Sequence, residues 1–591
     1  MPAKHFVNDP THLVASSLRS LSITNPAVAI DTENKIVYAR RRSSQSKVSI
    51  ISGGGSGHEP AFGGFVGAGL LAASVAGTIF ASPSSKQVLA AIEGVDCSQG
   101  VLVTVMNYTG DVLNFGVAVE KAKARNPKMR VEMLVVGDDV GVPRSRAGKV
   151  GRRGIAGTVL VHKITGALAA AGFGLDEINR VGSLVSRNMV SIGVSLDRVH
   201  VPGRALGDAS DRTLGAEEVE LGMGIHNEPG SGRRSGREAE LPALVDEMLR
   251  QLLDADDKER GFLETRADKM VLLVNNLGAL SALEFGAIVT EVADQLRKTY
   301  TIVPARVYAG TYMTSLGGPG FSVSLLNVVD TSLDTDILQL LDAPSEAVGW
   351  ATAVKGETWD TEENAEVNGS SAPPQLEGAE SSNVSCDIEA TIRRLRAGLN
   401  AVIAAEPEVT RYDSIVGDGD CGTTLRRGAE GILKLLSTSP TDDVVTLLSM
   451  IASKVETTMD GTSGALYAIF MNALTQDFKL RSGPAAIADV EFWSLTLRNA
   501  SAALAKYTPA KVGDRTLIDA LEPFVKTLSS TGRLQDAASA AVAGAAKTRE
   551  MRASLGRAVY VGEESEWRGK IPDPGAWGLG KFFEGLALSA E

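Results

Sequence analysis

With 591 residues, 44% hydrophobic and 22% charged, the chain has the composition of a globular protein and the length for roughly three or four structural units. A net charge of −12 excludes general nucleic-acid binding, which needs basic patches. It leaves room for anionic substrates held by backbone N–H groups and metal ions.

In chain order, Val48–Ser52 (VSIIS) reads as a strand running into a glycine-rich loop, GGGSGH. The uncharged stretch between Glu59 and Lys86 imitates a membrane span, but its glycines, prolines and short apolar runs read as buried loop and helix, so no membrane partner is expected. Val101–Val105 (VLVTV) is a second strand, ending in MNYTGD, and DVLNFGVAVEKAKARN after it has helical periodicity. Val131–Val136 (VEMLVV) is a third strand, ending in GDD. Strand, polar loop and helix in alternation predict a parallel α/β sheet, with ligands at the carboxyl ends of its strands. A second α/β block is expected from near residue 240, with strands at Met270–Asn275, around Ile302–Tyr308 and at Phe321–Leu326. The segment LGMGIHNEPG (221–230) then falls between the two blocks. The substrate-binding α/β domain is thus placed at 1–350, and an acidic linker at 351–386, where Gly356–Ile392 carries nine acids and no Lys or Arg. From 387 to 591 eight helical patterns follow, at Ile388–Ala405, Thr424–Ser437, Asp442–Glu456, Ser463–Gln476, Val490–Lys506, Thr516–Ser530, Leu534–Ala553 and Gly575–Leu588, giving an all-α domain.

Cys97, Cys386 and Cys421 form neither a CxxC pair nor a disulfide framework, and MPAKHFVNDPTHLV lacks an apolar signal core. Both features predict a reducing, cytoplasmic setting.

Chemistry concentrates in a few motifs. In YDSIVGDGDCGTTL (412–425), Asp413, Asp418 and Asp420 can converge on a glycine-broken loop, and three such anions call for a hard divalent cation. Thr423 and Thr424 follow at a helix start that favours anions. GDGD also suits a plain helix-capping turn or a calcium loop. In TTMDGTSGALYAIF (457–470), Thr462, Ser463 and Gly464 make a small-residue turn that offers N–H groups and hydroxyls to a phosphate, or simply caps a helix. There is no G-x-x-x-x-G-K-[ST] motif, so a nucleotide site here is not a P-loop. In SGGGSGHEP (52–60), Gly53, Gly54, Gly55, Ser56 and Gly57 let a ligand approach the backbone, with His58 at the pocket edge. NYTGD supplies Asp111 from the neighbouring strand end, and a His and an Asp so placed can serve as acid and base.

Taken together, SGGGSGHEP, NYTGDVLNFG, GMGIHNEPG, GDGDCGTTL, GTSGALY, GDRTLIDAL and PDPGA closely resemble the single-chain, ATP-dependent dihydroxyacetone (glycerone) kinases of eukaryotic type. The resemblance spans the chain outside the linker. It implies that His226 bonds covalently to the carbonyl carbon of a triose as a hemiaminal, that Asp111 is the base for the attacking hydroxyl, and that His58 assists. It implies triose contacts along Gly53–His58 and at residue 106, where many members carry lysine and this chain has Met106. It makes Asp413, Asp418 and Asp420 ligands of magnesium, two ions bridging the ATP phosphates, with manganese as a substitute. Nucleotide contacts map onto Asp420, Cys421, Gly422, Thr423, Thr424, Thr462, Ser463, Gly464, Arg515, Thr516, Asp573, Pro574 and Gly575. The fold implied for the helical domain is an eight-helix barrel, and the assembly a homodimer. Asp460 stands where the family often has glycine and is expected to point outward or join the metal shell.

The expected reaction is phosphorylation of dihydroxyacetone and D-glyceraldehyde. Some relatives split FAD to cyclic FMN at the same metal site, which is an alternative activity. A non-enzymatic triose-sensing module is a third reading, as is a relative that takes phosphate from a partner protein.

Overall fold

The computed structural model describes residues 5–40, 48–95, 98–204, 214–263, 269–351, 354–359, 382, 384–439, 441–483, 486–561 and 567–588. Cys97 and most of the expected linker, residues 360–381, lie outside the described residues. The chain divides into two compact units, Met1–Ala365 and Glu366–Glu591.

The first unit holds two six-stranded sheets. The first comprises β1 (Val28–Asp31), β2 (Ile36–Ala39), β3 (Ser49–Ser56), β4 (Ala73–Ile79), β5 (Val101–Met106) and β6 (Val131–Val136), in the order β1-β2-β4-β3-β5-β6. Its strands β4, β3, β5 and β6 run parallel, as expected from the strand–helix alternation. The second comprises β7 (Met189–Ser195), β8 (Glu218–Leu221), β9 (Gly232–Ser235), β10 (Met270–Asn276), β11 (Arg306–Gly310) and β12 (Gly320–Asn327), in the order β11-β10-β12-β7-β8-β9. Here only β10 and β11 are parallel, so the parallel expectation fails for this sheet. The second sheet also opens at Met189, not near residue 240, and His226 lies inside it, between β8 and β9.

Alternation along each strand sends residues to two faces. Ile50, Leu102, Leu134 and Val136 of the first sheet share one core with Met189, Val271, Leu273 and Leu326 of the second and with the helix Thr158–Ala171. That helix is buried on nearly all sides, His162 and Lys163 included, as a helix enclosed by core must be. The outer faces are covered by helices Ser85–Gly94 and Thr109–Arg125 on the first sheet, and by Leu241–Leu253 and Ala282–Tyr300 on the second.

The glycine run expected as a loop is the second half of β3. A Cβ on Gly53 would run into the Val75 carbonyl oxygen, one on Gly54 into the Phe62 ring at 2.9 Å, and one on Gly55 into the Phe80–Ala81 backbone at 2.8 Å. The strand is packed too closely at these three glycines to accept a side chain. The apolar stretch after it forms a short 3-10 turn, Gly63–Phe65, and β4. No helix among the described residues is long and apolar enough to cross a membrane.

Among its described residues the second unit has eight long helices, Ile388–Val416, Cys421–Thr438, Val444–Thr458, Gly461–Arg481, Val490–Leu504, Ile518–Thr531, Leu534–Lys547 and Pro574–Leu588. Each packs on the next and the last closes onto the first, which makes a barrel. It encloses an apolar cavity of about 510 Å³ lined by residues such as Leu447, Phe470, Leu521 and Phe583. The first helix runs past Pro407 to Val416, so Asp413 sits on its last turn and not on a loop.

Candidate active sites

In the first unit the peptide chain brings His58 and His226 together. His58 follows β3, and Gly57 before it turns the backbone with φ 100°. The Gly57 carbonyl accepts from the Leu316 N–H at 2.7 Å, and the His58 carbonyl from the Thr314 N–H at 3.2 Å. Two anchors hold the β8–β9 loop that carries His226. Ser315 Oγ donates to the Ile225 carbonyl at 2.7 Å. Asn227, at φ 65°, ties its amide to the N–H and carbonyl of Val199, at 2.9 Å each. Asn is among the few residues that accept this left-handed geometry and can bond locally with its side chain.

The two rings meet edge to face, with Nε2 atoms 3.0 Å apart. His58 Nδ1 lies 2.7 Å from the Thr314 carbonyl, which can only accept, so Nδ1 carries the hydrogen. Burial, with His226 nearby, pushes His58 down to about 3, and it is neutral at physiological pH. His226 Nδ1 lies 2.9 Å from Glu228 Oε1, and the His226 N–H donates to Glu228 Oε2 at 2.8 Å. Burial acts against the Glu228 carboxylate, but the His226 bonds and the Arg153 charge hold it at about 2. Arg153 is itself fixed by Asp139 at 2.7 Å and by the Gly222 carbonyl at 2.8 Å. Phe80 and Tyr108 close over the His226 ring, centroids 5.2 and 4.7 Å away.

Asp111 occupies the first turn of Thr109–Arg125 and is 5% exposed. Burial raises it above the ordinary carboxylate range, against a Ser82 hydrogen bond and the His226 charge, and its Oδ1 has no partner. A raised carboxyl with a vacant acceptor is suited to taking a proton. Ser56 instead serves the fold, its hydroxyl donating to the Gly77 carbonyl at 3.0 Å. Met106, at the end of β5, is 1% exposed and packs in the apolar core against Gly154.

In the second unit, ligand atoms of Asp413, Asp418 and Asp420 lie within 4.8 Å of one another. Asp418 also meets Arg557 in an ion pair. Partial burial, then Asp418 and Asp413, raises Asp420, the signature of carboxylates crowded without a cation. Asp413 and Asp420 flank the start of Cys421–Thr438, where Cys421 hydrogen-bonds Ser463 and is pushed by burial to about 12. That bond brings the Gly461–Gly464 turn against the acidic turn. Gly464 has no room for a side chain, since a Cβ would meet the Met459 carbonyl oxygen. Thr423 Oγ1 donates back to the Asp420 carbonyl at 2.9 Å, and Thr424 is buried. Gly422 packs against Thr410.

Asp460 points outward, 84% exposed at its side chain and paired with Arg427 at 2.9 Å. Asp573 precedes the last helix, accepting from Ala576 N at 2.8 Å, and burial raises it to about 6. Pro574 and Gly575 open that helix. Arg515 is 1% exposed at φ 62° and donates to the Ile571 carbonyl at 3.1 Å, while its Nε and Nη1 have no partner. Asp519 orders the segment, accepting from Gly513 N at 2.6 Å and Thr516 N at 2.8 Å. Convergent carboxylates, an open-ended guanidinium and two helix starts fit a divalent cation with a phosphate chain.

Comparison with known proteins finds a family match for each unit. The Dak1 domain model matches residues 19–349 and the DAK2 domain model residues 415–588. A dihydroxyacetone kinase of Komagataella pastoris is 44% identical, covering 99% of this chain and 98% of its own. The chain belongs to the single-chain dihydroxyacetone kinase family. The triokinase/FMN cyclase of Bos taurus is 36% identical over 98% of this chain and 97% of its own. Among solved structures, the C. freundii dihydroxyacetone kinase in complex with AMP-PNP and Mg2+ is 33% identical, covers 99% of each chain and gives a TM-score of 0.62. Against this family background, the sequence motifs left Glu228, Tyr108, Phe80, Arg153 and Thr314 without a role. Glu228 and Tyr108 stand within quoted motifs, but nothing in their spacing marks them as partners of a histidine.

Proposed function

We propose that the protein phosphorylates dihydroxyacetone with ATP, and D-glyceraldehyde as a second triose. The observation that carries this is the paired His58 and His226 beside the vacant Asp111 oxygen, in a chain aligned end to end with dihydroxyacetone kinases. His226 Nε2 attacks the triose carbonyl carbon and holds the substrate as a hemiaminal. The bond fixes the orientation of the reacting hydroxyl, which phosphoryl transfer requires. Asp111 takes the proton of that hydroxyl, and His58 supports the same end of the substrate. Glycerol has no carbonyl and escapes the histidine, so selection rests on a reaction.

Asp413, Asp418 and Asp420 would hold two magnesium ions, or manganese, and ions bound there would neutralise the charge of the transferred phosphoryl group. The turns at Asp420–Thr424 and Thr462–Gly464, with Arg515, Thr516 and Asp573–Gly575, receive the nucleotide. The domain plan is 1–350 for triose, an acidic connector over 351–386, and 387–591 for nucleotide, working as a homodimer. A coupled assay with Mg-ATP and dihydroxyacetone, D-glyceraldehyde or glycerol tests the reading. Both carbonyl trioses are consumed and glycerol is not. Equal use of glycerol overturns the covalent selection.

The bovine triokinase/FMN cyclase relative favours one second reading, cleavage of FAD to cyclic FMN at the acidic turn. Incubation with FAD and Mn2+ followed by chromatography tests it. That activity depends on the three aspartates and not on His226.

A further inference from the structure

Hydrogen counting at the His226 ring leads beyond its role as nucleophile. An ionised carboxylate only accepts, so Glu228 requires a hydrogen on Nδ1 of His226. His58 has its hydrogen on Nδ1, toward the Thr314 carbonyl, and presents a bare Nε2. Two bare nitrogens 3.0 Å apart would repel, so the hydrogen between them belongs to His226 Nε2. With hydrogens on both nitrogens the His226 ring is a cation, and Glu228 is its counter-ion. The other groups facing it are His58, which is neutral, Tyr108 and Asp111 from the β5–helix junction, and Arg153 behind Glu228.

We propose that Glu228 is a positioning residue that keeps the His226 ring cationic in the free protein and in the covalent triose adduct alike. This rests on the covalent reading of His226. The Nε2 hydrogen leaves as a proton through His58 Nε2, and the freed electron pair forms the Nε2–C bond. The carbonyl π pair moves to oxygen, which takes that proton and becomes a hydroxyl. Nδ1 keeps its hydrogen against Glu228, so the ring ends as an N-substituted imidazolium and no net proton is gained or lost. Without the carboxylate, the adduct ring would shed its Nδ1 proton, and the C–N bond could then break only by expelling an imidazolate, so the held proton also lets the triose leave again as the ring departs neutral. Glu228 therefore favours attack by orienting Nε2 and the adduct by holding its charge.

The test uses the full chain with nitrogen-isotope-labelled histidine and dihydroxyacetone labelled at its carbonyl carbon, without ATP. The carbon signal reports whether the adduct forms. The ring nitrogen signals report whether its Nδ1 is protonated. In the native protein at neutral pH the adduct forms and both ring nitrogens give imidazolium-type signals. A bare Nδ1 in a formed adduct overturns the proposal and leaves the covalent reading standing. Absence of any adduct removes the covalent reading itself, and the proposal with it. Glu228→Gln keeps the shape and removes the charge. Adduct affinity falls by at least about ten-fold and the Nδ1 proton is lost at lower pH than in the native protein. An unchanged affinity and pH profile in Glu228→Gln also overturns the proposal.

Discussion

Asp413 accepts the backbone N–H of Cys421 at 2.9 Å, joining the end of one helix to the start of the next across the acidic turn. The carboxylate is thereby held before any cation arrives. Asp418 has no such anchor and is partly exposed, so it is the acid to remove when testing cation binding. Asp418→Ala lowers Mg2+-dependent affinity for ATP by at least about ten-fold in calorimetry, while triose binding is unchanged. Normal nucleotide affinity would reject the turn as the metal site.

Asp420 has the opposite signature in the metal-free protein. Its carboxyl is raised in the fold, so the folded state binds the proton more tightly than the unfolded chain. Its contribution is favourable at low pH and is lost as pH rises through the folded value. Asp420→Asn therefore raises the melting temperature of the metal-free protein at pH 7 and shrinks the further rise caused by Mg2+. A lower metal-free melting temperature would contradict the crowding.

His226→Ala removes the nucleophile and leaves the second unit untouched. Phosphorylation of dihydroxyacetone falls by on the order of a hundred-fold or more, while ADP binding measured by calorimetry is retained. Kinetics like those of the native protein would end the hemiaminal mechanism.

His162, on the enclosed helix Thr158–Ala171, has neither ring nitrogen partnered and is fully buried, which lowers it to about 3. The folded state refuses a proton that the unfolded chain accepts below about 6.5. Stability is lost as pH falls from that value toward 3, at up to about 1.4 kcal/mol per pH unit for each such histidine. His58 adds the same dependence. His162→Leu flattens the decline in melting temperature between pH 6.5 and 4.5 and keeps kinase activity. An unaltered slope would place the acid sensitivity elsewhere.

Gly464→Ala forces a methyl onto the Met459 carbonyl oxygen at the start of Gly461–Arg481. The turn must open, at a cost of about 1–3 kcal/mol, so the Michaelis constant for ATP rises and that for triose does not. Equal change in both constants would indicate general misfolding instead.

Much of the architecture was legible because it is local. Helical periodicity located the eight long helices described in the second unit, though Ile388–Val416 runs past Pro407, a residue that ordinarily ends a helix. The strands β5, β6 and β10 announced themselves as short, mostly apolar runs. What pairing decides was not legible. The polar β9, GRRS, is a strand only because β8 lies beside it. Nor do the glycines of β3 announce a strand, because the neighbours that leave them no room for a side chain, Val75, Phe62 and Phe80, come later in the chain. In the sites, titratable residues in glycine-rich segments stood out, and the geometry brings His58 to His226 and the three aspartates to one another. Glu228 did not stand out, because a carboxylate two residues from a histidine is commonplace until the loop folds it back.

His58 leaves the last residues of a first-sheet strand, and His226 rides a loop of the second sheet, with one apolar core shared between the two sheets. The pair is therefore a sensor of docking. A break, insertion or loosening that parts the sheets by a few ångströms would separate the two nitrogens while leaving each sheet's hydrogen-bonded ladder whole. Triose chemistry in this chain is hostage to the interior between the sheets, and core residues far from any substrate hold a vote in catalysis.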